Sequence, residues 1–216
     1  MKKLKEIIDA LYPLTPEAYK AFSGICIPMS IKKNMDLQAI GQTCKNIYFI
    51  EKGALRVYYF KGETDITDSL EFEGAFVSRV ESLVTGEPSK KGIQALEDSD
   101  LIVINADKLY DLYNSHLEIE RLFKQLFLKA FIGMLKRIES IQFHSAEVRY
   151  ANFLKEYPDA LKRVPLKYIA SFLGITQVSL SRIRAKYWLF IFCISSRSLF
   201  DPTFIKSTQG GFKLFN

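Results

Sequence analysis

Leu166-Lys-Tyr-Ile-Ala-Ser-Phe-Leu-Gly-Ile-Thr-Gln-Val-Ser-Leu-Ser-Arg-Ile-Arg184 reads as two short helices joined by a turn at Gly174, with basic residues on the second. Ile169, Ala170 and Leu173 give one apolar face. Gly174 is the residue that takes a left-handed conformation at a helix end, and the Thr176 hydroxyl is placed to cap the next helix. Leu180 and Ile183 then turn the second helix's inner face toward the first. Gln177, Ser179, Ser181 and Arg182 are left outward, where short polar groups and a guanidinium reach base edges and phosphates in a major groove. An ordinary αα-hairpin shares the apolar pattern, but Ala170, Gly174 and Ser181-Arg182 at this spacing favour a DNA-binding helix-turn-helix.

The charge distribution points the same way. Residues 144–216 carry eleven Lys and Arg against four Asp and Glu, so the chain's net +6 arises there. A basic end that only aids solubility is the plainer account, yet the asymmetry coincides with the motif. With 216 residues, 48% of them hydrophobic, the chain has material for one sizeable core and a second smaller one, hence two domains. Cys26, Cys44 and Cys193 are odd in number and widely separated, with no CxxC and no histidines at metal spacing. Neither a disulfide framework nor a metal site is expected. The N-terminus mixes charge with an amphipathic helical pattern instead of a secretory signal, so the expected setting is cytoplasmic, with no membrane partner.

Residues 4–11 and 15–23 read as a short helical start, with Pro13 and Pro16 near helix N-termini. Ile47-Tyr-Phe-Ile-Glu51 and Ala54-Leu-Arg-Val-Tyr-Tyr-Phe60 read as strands, with Lys52-Gly53 between them as a tight hairpin. Lys61-Gly-Glu63 turns the chain again before a run ending at Phe72, on which Glu71 and Glu73 read as solvent-facing. Leu101-Ile-Val-Ile-Asn105 is a last apolar strand. Short strands without intervening helices imply an antiparallel barrel or jelly roll. From Glu118 to about Gln142 the pattern is helical, with Phe127, Phe131, Met134, Ile138 and Ile141 spaced by alternating fours and threes. Such a seam suits a second copy of the same helix, as would a two-fold DNA site, and it also suits packing on the barrel. Ser145 starts a further helix that runs to Glu156, before Pro158.

This order of parts resembles the cyclic-AMP receptor protein and fumarate-nitrate regulator superfamily of bacterial transcription factors over residues 1 to about 186. Ser145-Ala-Glu-Val-Arg-Tyr150, Phe153-Leu-Lys-Glu-Tyr-Pro158, Val164-Pro-Leu-Lys-Tyr-Ile-Ala170, Leu173-Gly-Ile-Thr176 and Leu180-Ser-Arg-Ile-Arg184 look like its Bacteroidetes branch. The resemblance implies an α+β chain. An N-terminal antiparallel β-roll (jelly-roll) sensor of the cyclic-nucleotide-binding type spans residues 1–116, a dimerisation helix 117–143, and a C-terminal winged helix-turn-helix domain 144–216. It further implies a homodimer on double-stranded DNA, working with RNA polymerase, in which the sensor repositions the recognition helices.

Two departures qualify the ligand and the target. In the family a Phe-x-Gly-Glu-Leu phrase supplies a glutamate for a ribose hydroxyl, and a later arginine followed by Ser or Thr holds the cyclic phosphate. Here Phe76-Val-Ser-Arg-Val80 puts Arg79 at the acidic position, and Ser89-Lys90 stands where Arg-Ser is expected. The ribose acceptor and the bidentate phosphate fork are both lost, so cyclic AMP is not expected and no cofactor is assigned. Arg79, Lys90 and Lys91, with Ser78 and Ser89, remain candidates for another anion, and a sensor that binds no small molecule fits equally. On the recognition helix, Gln177-Val178-Ser179 replaces a pattern with a glutamate, and a valine touches only apolar groups such as a thymine methyl. Thr176, Gln177, Ser179, Ser181, Arg182, Arg184 and Lys186 form the expected DNA-contacting set. Arg182 is expected at a base edge or the nearby backbone, and Arg184 and Lys186 at phosphates.

Tyr187-Trp-Leu-Phe-Ile-Phe-Cys-Ile194 is too short to span a bilayer. It and the remainder to residue 216 read either as a wing-like hairpin or as an accidental extension. No catalytic residue is expected: His116 and His144 lie near no nucleophile or metal-ligand motif, and nucleotide-binding glycine loops are missing, so the chain does not read as an enzyme. The competing reading is a ligand-binding or protein-interaction module whose DNA-binding end has degenerated.

Overall fold

The computed structural model describes residues 1–186. Helix α1 (Lys2–Leu11) and helix α2 (Pro16–Gly24) open the chain, the second with Pro16 at its first turn and the Thr15 hydroxyl accepting from the Ala18 N–H. Eight strands follow: β1 (Cys26–Ile31), β2 (Asp36–Gln38), β3 (Asn46–Lys52), β4 (Leu55–Lys61), β5 (Thr64–Glu71), β6 (Phe76–Val77), β7 (Gly92–Ala95) and β8 (Ser99–Asn105). A short helix α3 (Val80–Thr85) lies between β6 and β7.

The strands form two antiparallel four-stranded sheets, ordered β1-β8-β3-β6 and β2-β7-β4-β5. The period of two along each strand sorts the core. Tyr48, Ile50 and Leu101 of the first sheet meet Leu55, Val57, Ile93 and Ala95 of the second inside the roll. Phe49, Ile102 and Ile104 point to the other side of the first sheet, beneath α1, α2, α4 (Ala106–Tyr113) and the first turns of α5 (Leu117–Phe143). That sheet is buried on both faces, which is why β8 reads as a continuous apolar run.

The hairpin expected at Lys52-Gly53 does not form. Strands β3 and β4 lie in different sheets, and the chain turns a corner between them. Gly53 sits at φ +109°, and a Cβ there would collide with Ser99, so the residue serves as a close-packed corner rather than a two-residue turn. The second turn does form a hairpin: Lys61 pairs with Thr64 around Gly62-Glu63.

Helices α6 (Ala146–Glu156), α7 (Ala160–Arg163) and α8 (Leu166–Phe172) follow, and residues 177–186 form a further helix, α9. Their apolar faces close on Tyr150, Phe153, Ile169, Leu173, Leu180 and Ile183, and this core is continuous with Ala54, Leu70, Phe72 and Leu96 of the roll. Among the described residues no helix is long and apolar enough to cross a membrane, and no cluster of metal-ligating side chains occurs. Cys26 and Cys44 are buried free thiols. Cys193 and the expected wing lie outside the described residues.

Candidate nucleic-acid interface

The turn between α8 and α9 has the geometry that Gly174 suggests. Gly174 takes φ +68°, its N–H bonds to the Ser171 carbonyl, and the Ile175 N–H reaches back to the Ala170 carbonyl at 3.0 Å. This paired closure of a helix end requires a left-handed residue and satisfies two otherwise orphaned carbonyls. Two arginines that the sequence reading missed take the next ones. Arg137 of α5 donates to the Phe172 carbonyl at 2.8 Å while stacking on the Phe172 ring, and Arg149 of α6 donates to the Leu173 carbonyl at 2.9 Å. Two cations thus sit at the negative end of α8 and fix where α9 begins.

Thr176 caps α9: its hydroxyl accepts from the Ser179 N–H at 3.1 Å and contacts the Ser179 hydroxyl at 2.9 Å. Thr176 and Ser179 are therefore tied to each other. Buried Leu180 and Ile183 hold the helix down, leaving Gln177, Val178, Ser181, Arg182, Ala185 and Lys186 exposed along one stripe. Of the expected contact set, Gln177, Ser181, Arg182 and Lys186 share that stripe. Arg184 is half-buried, and its Nε has no partner among the described residues.

Side chains from the roll seat the helix pair. Arg56 of β4, only 3% exposed, is held by Asp65 through two bonds of 2.6 and 2.9 Å and by Gln94 at 3.0 Å. The Tyr168 ring of α8 stacks on its guanidinium at 3.8 Å. The Thr67 N–H, on edge strand β5, donates to the Ser171 hydroxyl at 2.8 Å. At the other end Arg163 of α7 bonds Glu73 through both terminal nitrogens, at 3.0 and 2.6 Å, and Glu97 through Nε at 3.1 Å. Glu73 also accepts from the Gly53 N–H. Burial alone would raise the Glu73 carboxyl, but Arg163 and the backbone donors hold it down to about 2. Glu73 is thus not the solvent-facing strand position expected of it, a role no local pattern discloses.

The candidate anion set is less convergent. Ser78 donates to the Asn46 carbonyl, Ser89 to the Lys91 carbonyl, and Lys91 pairs with Asp68 at 2.8 Å beside the Tyr59 ring. Lys90 is exposed. Arg79 stands immediately before α3, its Nε buried with no partner among the described residues. Ser82, buried within α3, bridges the Cys44 N–H and the Glu87 carbonyl. Four of the polar groups in this segment are bound to the protein itself, and Ser89 and Lys91 are the only candidates that contact each other among the described bonds.

Comparison with known proteins places the roll. Residues 28–116 match the family model of the cyclic nucleotide-binding domain. No curated protein sequence matches the chain. Among solved structures, FixK2 from Bradyrhizobium japonicum is similar at TM-score 0.65 and 15% identity, over 75% of this chain and 84% of that one. The c-di-GMP responsive global regulator CLP of Xanthomonas campestris gives 0.64 and 12%, over 81% and 92%. A protein from Eubacterium rectale described as a transcriptional regulator of the Crp/Fnr family gives 0.63 and 21%, over 82% and 84%. At these identities the likeness is one of fold.

Proposed function

We propose that this chain is a sequence-specific DNA-binding transcription regulator of the Crp/Fnr type, acting as a cytoplasmic homodimer. The exposed stripe of α9 enters the major groove, with Arg182 at a base edge or the adjacent backbone and Lys186 at a phosphate. The exposed apolar seam of α5 pairs with a second copy, and two-fold symmetry presents two α9 helices to two half-sites. The roll acts as a sensor that biases the placement of the helix pair, and RNA polymerase is the partner that the resemblance implies. Cyclic AMP is not part of this reading, because Arg79 stands where a ribose acceptor is needed. The observation that carries the proposal is the capped, arginine-anchored α9, which holds Gln177, Ser181, Arg182 and Lys186 outward.

The test is selection of bound duplexes from a random pool, followed by affinity measurement at several salt concentrations. A two-fold symmetric enriched motif and an affinity falling steeply with salt are expected. Arg182→Ala should cost about 1–3 kcal/mol of specific binding at fixed salt. Equal, weak binding to every duplex would refute the proposal.

A further inference from the structure

Val178 is 62% exposed, a β-branched residue in the first turn of α9 that lies outside the apolar core beneath the helix. Such a residue lowers helix propensity and gains little here from burial. It lies beside Gln177 and one helical turn before Ser181 and Arg182, in the middle of the stripe assigned to the groove. Every neighbour on that stripe except Ala185 carries hydrogen-bonding groups.

Building on the DNA-binding reading above, we propose that Val178 is a specificity-determining residue that reads a thymine by packing on its C5-methyl group. The major-groove edges of guanine, adenine and cytosine present acceptors and amino donors and no methyl group, and valine would desolvate their polar groups without replacing their bonds. The thymine methyl is the apolar feature of that groove, and of the two side chains in the stripe that lack hydrogen-bonding groups, Val178 and Ala185, the isopropyl of Val178 offers it the larger apolar surface. Basic Arg182 and Lys186 on the same face keep the helix against the polyanion while this contact is made. The operator half-site therefore contains a thymine next to, or one step from, the base pair addressed by Arg182.

The experiment uses the full chain and the duplex enriched from the random pool. Each thymine of the half-site is replaced in turn by uracil, which removes the methyl and leaves the hydrogen-bonding edge intact. One position should lose about fourfold in affinity, the factor for one buried methyl group. In Val178→Ala the thymine-to-uracil ratio at that position should fall toward one, while the other thymines and the salt dependence are unchanged. Because Val178 is exposed, the variant retains its fold, checked by circular dichroism. Specific binding with no uracil-sensitive position, or with a sensitivity that Val178→Ala leaves intact, overturns this inference alone. Failure to enrich any motif overturns the DNA-binding reading and this inference with it.

Discussion

Arg56 is a cation almost withdrawn from water, gripped by the Asp65 carboxylate and lying under Tyr168, whereas Asp65 remains about one-third exposed. That imbalance gives the pair an asymmetric response to mutation. Asp65→Ala leaves a buried guanidinium without its counter-charge and should destabilise the protein by about 3 kcal/mol. Arg56→Met leaves only a carboxylate that water reaches and should cost distinctly less, as read from urea unfolding midpoints. Equal losses would show that Asp65 does not neutralise Arg56. Half of this arrangement was legible in the sequence. The turn at Lys61-Gly-Glu63 sets the register that brings Asp65 back toward β4, but Tyr168 belongs to a distant helix. Arg56 itself, set between Leu55 and Val57 on a β-rich run, carries no local sign of that distant partner.

Helix α5 divides into two parts. Ile119 and Leu122 are buried with Phe123 and Leu126 against the roll, so the stripe does lie on the barrel at its beginning. Beyond them Phe127, Phe131, Met134, Ile138 and Ile141 are all exposed, with Phe127 at 55% and Ile138 at 45%. Ile138→Glu should convert a dimer into a monomer in sedimentation experiments without lowering the unfolding temperature of the monomer. A dimer that persists in this variant would mean that the seam is not the self-association surface. The period of this stripe was readable, because helical spacing is a local property. The corner at Gly53 was not, since Lys-Gly between two β-rich runs fits a tight turn equally well, and what forbids the turn is Ser99 on another strand. In α9 the outward residues followed from the inward ones, Leu180 and Ile183, and the Thr176 cap followed from its place after the turn. The partial burial of Arg184 and the contact between the Thr176 and Ser179 hydroxyls depend on how the folded helices pack and carry no local signal.

Across the whole molecule, the C-terminal helices and the roll share one apolar core and are pinned by the Arg163 bonds to Glu73 and Glu97. The pinning has a defined pH window. A carboxyl held at about 2 in the folded chain and at its ordinary 4.5 when unfolded contributes fully above 4.5, and the contribution is lost as pH falls from 4.5 toward 2. Urea midpoints should therefore decline over that interval. Glu73→Gln should start lower at neutral pH and decline less, whereas an unchanged pH slope in the variant would remove Glu73 as the responsible group. The Ser171 bond to the Thr67 N–H has a different consequence. Strand β5 is the outer strand of its sheet, and α8 covers it. If the C-terminal helices lift away, that strand presents a bare row of amides to any other extended chain, which is how proteins begin to aggregate. The C-terminal helices thus also guard a sticky edge, so damage to their docking should show itself as precipitation.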